Sequence, residues 1–403
     1  MCASDSNAPL PYADVAVNLP VHQTYTYKIP AGLAPHVVPG CMVRVPVRRR
    51  SVEGVVVRLT DQTDAPKNRL KPLEKVLTPE YCVSADLMAL GRWMSEYYMA
   101  GRGEALASIA FFGLSDEKPR REQRYRLARF DHGATDGELA EALLDDTLTE
   151  AQREVVRCLV EELNSAMTQA ELCRRSGRSA SVVKTLEDKD ILTSETYEQE
   201  REDQYSQGRE ALAKRHTLTD EQQAAFDKIC AAIDAPRFES FLIYGITGSG
   251  KTEVYLQAID RVLAKKKQAI VLVPEISLTP QAVERFRSRF GDSVGVYHSH
   301  LTRGQKYDLW RRIDSGEINV LIGARSAVFA PFPRLGLVVV DEEHEHSYKQ
   351  SDPAPRYHAR DVGVWRARQF GVPAILGSAT PSLESLLNAR PDLAEEETQG
   401  KYT

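Results

Sequence analysis

Residues 245–252 read GITGSGKT, and residues 335–350 read LGLVVVDEEHEHSYKQ. The first stretch follows the apolar run 241–244 and precedes apolar residues at helical spacing, which is the strand, loop and helix order that a phosphate-binding loop needs. In the second stretch a valine-rich strand ends at two carboxylates. A tight glycine turn alone would explain neither flank, so the pair of motifs predicts a site for a nucleoside triphosphate and Mg²⁺.

Each residue of the two motifs has a predicted role. Glycines let the backbone N–H groups of the loop turn toward a phosphate. Lys251 is expected to reach the β- and γ-phosphates, while Thr252 and Asp341 hold Mg²⁺. Glu342 is expected to orient and deprotonate the attacking water. The predicted catalytic residues are therefore Lys251, Asp341 and Glu342, and the predicted ATP-binding loop is Gly245, Ile246, Thr247, Gly248, Ser249, Gly250, Lys251 and Thr252.

Three further segments run from a predicted strand into a loop of small or hydroxyl-bearing residues. They are LVPEISLTPQ (272–281), GARSAVFAPF (323–332) and GSATPS (377–382). Ligands of α/β proteins bind at the carboxyl ends of parallel strands. Residues 216–403 are therefore predicted to form an α/β P-loop lobe with a parallel sheet.

The rest of the chain is predicted to form smaller modules. Residues 1–10 are expected to be a disordered tail, and short alternating runs broken by Pro and Gly predict a small β-rich domain over 11–115. Residues 116–147 are interpreted as a basic linker, in which the basic run 118–129 either contacts DNA or is only a solvated face. Residues 148–205 have the helix, helix and hairpin pattern of a winged helix, which either enters a DNA groove or acts as a spacer.

Composition narrows the class of protein. The 403 residues have room for about three domains. The six cysteines include no C-x-x-C pair, so no zinc site is predicted in this chain and a reducing cytoplasm is favoured. No apolar run approaches the length of a membrane span. The net charge of −5 means that any contact with nucleic acid depends on local basic clusters.

The order of these motifs resembles that of superfamily-two helicases, with Walker A, two strand-tracking blocks, a DExH-type Walker B and an S-A-T block. Longer stretches, such as VPEISLTPQ (273–281) and ILGSATPSLESL (375–386), resemble the PriA family of primosomal replication-restart helicases, also called primosomal protein N′. The stretch VAVNLPVHQTYTYKIP (15–30) resembles the DNA-end-binding domain of that family. The resemblance covers nearly the whole chain and is weakest over 120–210.

The resemblance implies an ATP-dependent 3′→5′ DNA helicase, with a RecA-like lobe, that recognises stalled or abandoned replication forks and initiates primosome assembly. Implied partners are branched and single-stranded DNA, primosome proteins, single-strand-binding protein and the replicative helicase loader, without a membrane. The implied cofactors are ATP and Mg²⁺, and the implied location is the bacterial cytoplasm, at forks on the nucleoid. The alternatives are a fork-binding scaffold without ATPase activity and another superfamily-two translocase.

The family also carries a second helicase lobe and a zinc-binding cysteine cluster. We expect both to follow Thr403 in a longer protein, although a truncated gene product is the other interpretation. As it stands, the chain is expected to be inactive as a motor.

The resemblance also assigns roles to residues. Expected DNA contacts are Tyr25, Thr26, Tyr27, Arg48, Lys71, Thr279, Arg325, Ser326, Tyr348 and Tyr357, of which the last two either stack on bases or pack internally. His344, Ser378, Ala379 and Thr380 are expected to couple hydrolysis to motion. Gln222 either contacts adenine or serves as the capping-box partner of Thr219. Two residues depart from the family pattern: Ala324 replaces a usual Thr, and Thr26 replaces an expected aspartate.

Overall fold

The computed structural model describes residues 10–63, 65–66, 68–77, 82–110, 120–128, 147–162, 165–199, 215–235 and 237–389. It divides into two compact units, one made of residues 1–117 and 202–403 and the other of residues 118–201. The tail predicted for 1–10 lies outside the described residues except for its last one. Within the described ranges, no helix is both long enough and apolar enough to cross a membrane.

Where the structure describes it, the amino-terminal part of the first unit is a five-stranded antiparallel sheet with two α-helices, in the strand order β2-β1-β4-β3-β5. The elements are β1 (Tyr12–Val17), β2 (Tyr25–Lys28), β3 (Met42–Val47), β4 (Arg50–Thr60), β5 (Lys75–Val76), α1 (Ala85–Tyr97) and α2 (Arg102–Ala110). All six residues of β1 are buried. A Cβ on Gly103 would lie 1.7 Å from the Val17 carbonyl oxygen, so only glycine lets α2 approach β1. The predicted β-rich domain is confirmed.

The carboxyl-terminal part of the first unit is a six-stranded parallel sheet in the order β11-β12-β10-β13-β14-β9. Its strands are β9 (Ser240–Tyr244), β10 (Gln268–Leu272), β11 (Val294–Tyr297), β12 (Val320–Gly323), β13 (Leu335–Asp341) and β14 (Ala374–Ser378). Strands β10, β12 and β14 are buried at every residue, as expected for a parallel sheet covered on both faces. The predicted parallel sheet is confirmed.

Helices cover this sheet and connect its strands. They are α6 (Asp220–Asp234), α7 (Lys251–Ala264), α8 (Pro280–Phe290), α9 (Arg303–Ser315), α10 (Ala359–Phe370) and α11 (Leu383–Ala389). The predicted helix start at Thr219 is confirmed, because its hydroxyl accepts from the Gln222 N–H and the Gln222 side chain accepts from the Thr219 N–H. Helix α8 likewise starts at Pro280, with Thr279 as its N-cap.

Over its described residues, 120–128, 147–162 and 165–199, the second unit contains three helices and a three-stranded sheet in the order β7-β6-β8. Its elements are β6 (Arg120–Leu127), α3 (Glu150–Glu161), β7 (Met167–Thr168), α4 (Gln169–Ser176), α5 (Ala180–Asp188) and β8 (Leu192–Gln199). Strand β6 lies inside the segment predicted as a linker and pairs with β8 over eight residues, so 116–147 is not a linker throughout. The winged-helix assignment of this unit stays a prediction, as do the domain boundaries.

Candidate nucleotide site and nucleic-acid interface

The phosphate-binding loop joins β9 to α7 at the carboxyl edge of the sheet. Gly248 and Gly250 have φ values of +82° and +83°, a left-handed conformation that favours glycine. The loop folds around Lys251, whose Nζ donates to the Gly245 carbonyl at 2.7 Å. Lys251 is buried. The motif thus places an ammonium group and the start of a helix beside one loop, which suits an anionic phosphate.

The acidic pair follows directly from the end of β13. Glu342 has a φ of +46°, an unusual conformation for a non-glycine residue, and such strain is often found at functional sites. Burial and the charge of Glu342 raise the pKa of Asp341, although a hydrogen bond from Tyr255 opposes the shift. Two carboxylates are therefore held close together where their charges repel.

This arrangement fits a divalent cation. The pKa of Asp341 is raised because its charge is poorly solvated and lies beside a second carboxylate, and a bound cation would reverse both effects. Carboxylate and hydroxyl oxygens are the ligands that Mg²⁺ prefers. Asp341 and the Thr252 hydroxyl are the residues that would hold it.

Gln222 contacts the loop from outside. Its Nε2 donates to the Ser249 carbonyl at 2.6 Å, and its Oε1 accepts from the Thr219 N–H at 2.9 Å. The capping role is therefore present, and it places the amide against the phosphate-binding loop. Contact with adenine stays a prediction.

His344 connects the acidic motif to the S-A-T segment. Its Nδ1 lies 2.8 Å from the Ser378 Oγ, and its Nε2 lies 3.3 Å from the Thr380 Oγ1. Its Nδ1 is also 3.7 Å from the nearer carboxylate oxygen of Glu342. The structure thus brings together the residues predicted to couple hydrolysis to motion.

Sequence reasoning missed Glu343, which is fully buried. Its carboxylate accepts from the Ser382 N–H at 2.7 Å, the Ser385 Oγ at 2.8 Å and Arg360 Nη1 at 2.9 Å. Burial alone would raise its pKa, but these hydrogen bonds outweigh burial and lower it. Glu343 is therefore a buried anion, and its hydrogen bonds hold the segment that follows the S-A-T block. The only sequence signal was a third acidic residue in DEEH.

Tyr255 is a second residue that the sequence did not reveal. It is buried in α7, and its hydroxyl donates to Asp341 Oδ1 at 3.2 Å. A Cβ on Gly377 would lie 1.6 Å from that hydroxyl oxygen. Gly377 thus leaves the space through which Tyr255 reaches the acidic motif.

The amino-terminal DNA candidates do not form one pocket. Because successive side chains of a strand point to opposite faces, Thr26 faces away from Tyr25 and Tyr27, and its hydroxyl donates to Asp14 at 2.7 Å. Tyr27 is buried in the domain core. The Lys71 Nζ donates to the Arg48 carbonyl at 2.8 Å, so these two exposed residues do lie together.

Asp14 was not among the predicted residues. It lies directly opposite Thr26 in the β1–β2 pair, and Arg58 donates to it through Nη2 at 2.7 Å and Nε at 3.1 Å. A carboxylate on β1 therefore stands beside the position where the family resemblance led us to expect an aspartate.

The expected base stacking by Tyr348 and Tyr357 is wrong for this conformation, because both side chains are buried. The Tyr348 hydroxyl donates to the Asp341 carbonyl at 2.6 Å, and the Tyr357 ring packs edge-on against Phe329 at 5.0 Å. The packing alternative is the correct one for these two tyrosines.

The remaining DNA candidates follow strands β10 and β12. Thr279 is exposed and accepts from the Ala282 N–H, while Arg325 Nη1 donates to the Lys349 carbonyl at 3.0 Å. Ser326 is half-buried beside Arg325. These residues lie after neighbouring strands at the carboxyl edge, and their DNA contacts stay predictions.

Comparison with known families agrees with this geometry. The PriA 3′DNA-binding domain (3′BD) family matches residues 14–110, and the DEAD/DEAH box helicase family matches residues 219–389. Replication restart protein PriA of Bacillus subtilis is 35% identical over 450 residues, covering 95% of this chain and 55% of the relative. Over nearly its whole length, the chain is similar to replication restart proteins PriA. A helicase domain of this kind uses ATP and Mg²⁺ in general.

Two other comparisons define the extent of the match. Replication restart protein PriA of Chlamydia pneumoniae is 36% identical, covering 94% of this chain and 49% of the relative. The chain thus spans about half the length of the curated relatives that it matches. The match to a structure of RecG bound to a three-way DNA junction covers 43% of this chain and 22% of the RecG chain, with 26% identity and a TM-score of 0.34.

Proposed function

We propose that the protein is an ATP-dependent 3′→5′ DNA helicase that recognises stalled or abandoned replication forks and initiates primosome assembly. One observation carries this proposal: a domain of the PriA 3′DNA-binding family and a complete set of Walker A, Walker B and S-A-T residues occur in one chain. An ATPase without fork recognition would not need the first domain. A fork-binding scaffold would not need the second.

In this proposal the residues of the lobe divide the chemistry. The backbone N–H groups of 245–252 bind the phosphates, and Lys251 leaves its carbonyl partners to meet the charge that develops on the γ-phosphate. Glu342 orients the attacking water and accepts its proton. Mg²⁺ held by Thr252 and Asp341 would supply electrostatic stabilisation of the transferring phosphoryl group. Through its contacts with Ser378 and Thr380, His344 couples changes at this site to the S-A-T segment.

In the same proposal the amino-terminal domain recognises the 3′ end of DNA, with Arg48 and Lys71 as phosphate contacts. The two residues lie together on the surface, which suits a shared phosphate better than a scattered pair. The proposed partners are branched and single-stranded DNA, primosome proteins, single-strand-binding protein and the replicative helicase loader. The proposed location is the cytoplasm, at replication forks on the nucleoid.

The test compares two DNA forks whose leading strand ends either in a free 3′ hydroxyl or in a 3′ end that is blocked by an uncharged group. Fluorescence anisotropy with the 403-residue chain should give tighter binding to the free end. Lys71→Ala should lower that preference, while Lys228→Ala, an exposed lysine on α6, should leave it unchanged. Equal affinity of the wild-type chain for both forks would overturn the recognition part of the proposal.

A further inference from the structure

Helix α1 of the amino-terminal domain packs against α10 of the helicase lobe within the first unit. Trp93 and Trp365 stack with ring centroids 5.1 Å apart. Arg366 is fully buried, its Nη2 lies 3.4 Å from the Asp86 carboxylate, and its Nη1 donates to the Val328 carbonyl at 2.6 Å. This contact therefore combines an aromatic stack with a partly buried ion pair.

Tyr98 follows α1 and contacts the loop after the Walker B motif, residues 345–358, here named the post-Walker loop. The Tyr98 hydroxyl accepts from the His358 N–H at 3.1 Å, and the Lys349 ammonium lies 5.4 Å from the centre of the Tyr98 ring. Lys349 and His358 pair with each other as an antiparallel bridge. One tyrosine thus contacts both sides of the base of the loop.

The post-Walker loop is in turn attached to the nucleotide site. Tyr348 directly precedes Lys349 in the chain, and its hydroxyl donates to the carbonyl oxygen of Asp341 at 2.6 Å. Arg325 holds the same stretch through the Lys349 carbonyl. A shift of Lys349 would therefore displace Tyr348 and, through its hydrogen bond, the backbone of the acidic motif at Asp341.

Tyr98 also lies in the turn after α1, and this turn contacts the segment that precedes β2. The Arg102 N–H donates to the Val21 carbonyl at 3.1 Å, and Ser95 Oγ lies 3.4 Å from His22 Nδ1. The same Ser95 Oγ donates to the Ala100 carbonyl at 2.7 Å. The turn after α1 is thus fixed to the segment that leads into β2, the strand carrying Tyr25.

We propose that Tyr98 is a positioning residue that transmits engagement of a DNA 3′ end by the amino-terminal domain to the post-Walker loop, and through Tyr348 to Asp341. The inference rests on the proposed function, because it assumes that this domain binds a DNA 3′ end. In this proposal, the base of the loop moves. Tyr98 contacts it through the hydrogen bond from His358 and the ring contact with Lys349.

Hydrogen–deuterium exchange of the 403-residue chain tests the proposal. With the free-end fork bound, deuterium uptake over 341–358 should slow by about fivefold or more, the lower end of typical coupling between linked sites. The fork with the blocked 3′ end should produce no such slowing. Tyr98→Phe removes the hydroxyl that accepts from His358 and keeps the ring, so it should abolish the DNA-dependent slowing without weakening DNA binding.

Tyr97→Phe is the matched control, since Tyr97 is the neighbouring residue and is 61% exposed; it should behave as wild type. If Tyr98→Phe melts at a lower temperature than wild type, Lys349→Gln tests the other contact of Tyr98 with the loop, the one between the Lys349 ammonium and the Tyr98 ring. A merely structural role would change the baseline exchange but not the difference between the two forks.

The outcomes are distinguishable. Wild-type slowing that survives in both Tyr98→Phe and Lys349→Gln overturns the inference. A wild-type chain that prefers the free-end fork in anisotropy, yet shows no slowing over 341–358, overturns the inference and leaves the proposed function standing. If the wild-type chain shows no preference for the free-end fork, both the proposed function and this inference are overturned.

Discussion

Replacing Glu343 with alanine should strongly destabilise the helicase lobe. The carboxylate is fully buried and accepts four hydrogen bonds, from the Ser382 N–H and hydroxyl, the Ser385 hydroxyl and Arg360. The Arg360 side chain is only 12% exposed, so its charge would lose a partner that water cannot fully replace. Removing one partner of a buried ion pair costs roughly 3–5 kcal/mol.

The free-energy cost can be converted into a melting temperature. For a domain of about 150–250 residues, 1 kcal/mol shifts the Tm by about 2–4 °C, so the lobe should melt on the order of 6–20 °C lower. Differential scanning calorimetry measures this shift. Glu317→Ala is the control, because its pair with Arg312 is exposed, and an exposed pair contributes about 0–1 kcal/mol.

The effect should also depend on pH in a defined direction. Since the folded pKa of Glu343 lies below its ordinary value, its stabilisation is present above the unfolded pKa and is lost as the pH falls through the folded pKa. The difference between wild type and Glu343→Ala should therefore be constant from neutral pH down to about 5 and shrink below the ordinary glutamate range. A decrease in Tm of less than about 2 °C at neutral pH would show that the Glu343 carboxylate contributes little to stability.

Two further predictions concern the same edge of the sheet. Gly377→Ala should cost about 1–3 kcal/mol by overpacking, because its Cβ would meet the Tyr255 hydroxyl at 1.6 Å; calorimetry of Gly377→Ala with and without Tyr255→Phe should show partial rescue, and an unchanged Tm in the single variant would contradict the close approach. His344→Ala removes the contacts with Ser378 and Thr380, so hydrogen exchange over 377–382 should accelerate, with His346→Ala, an exposed residue, as the control that should leave it unchanged.

The parts of this structure that could be predicted from sequence are those with local signals. The strand before Gly245 and the helix after Lys251 follow from apolar spacing and glycine placement over a few residues. The capping box at Thr219 has its partner three residues away. Such features depend on neighbours in the chain, so periodicity and spacing reveal them.

The parts that could not be predicted depend on residues far apart in sequence. Glu343 receives its hydrogen bonds from residues 17 to 42 positions later, and no local pattern indicates them. Tyr348 and Tyr357 flank a proline-containing loop that suggested exposure, yet tertiary packing buries both. Strand β6 pairs with β8 across the intervening helices, which a basic composition could not reveal.

We propose that residues 245–252 and the acidic motif form a Mg²⁺-dependent ATP site. Calorimetric titration of the 403-residue chain with ATP measures this binding. Binding should weaken when Mg²⁺ is removed. Lys251→Ala should lose roughly 10- to 100-fold in affinity, as expected when a hydrogen bond to a charged group is removed, whereas Lys228→Ala should bind as wild type. Equal affinity of Lys251→Ala and wild type, or binding unaffected by Mg²⁺, would show that these residues do not form a Mg²⁺-dependent ATP site.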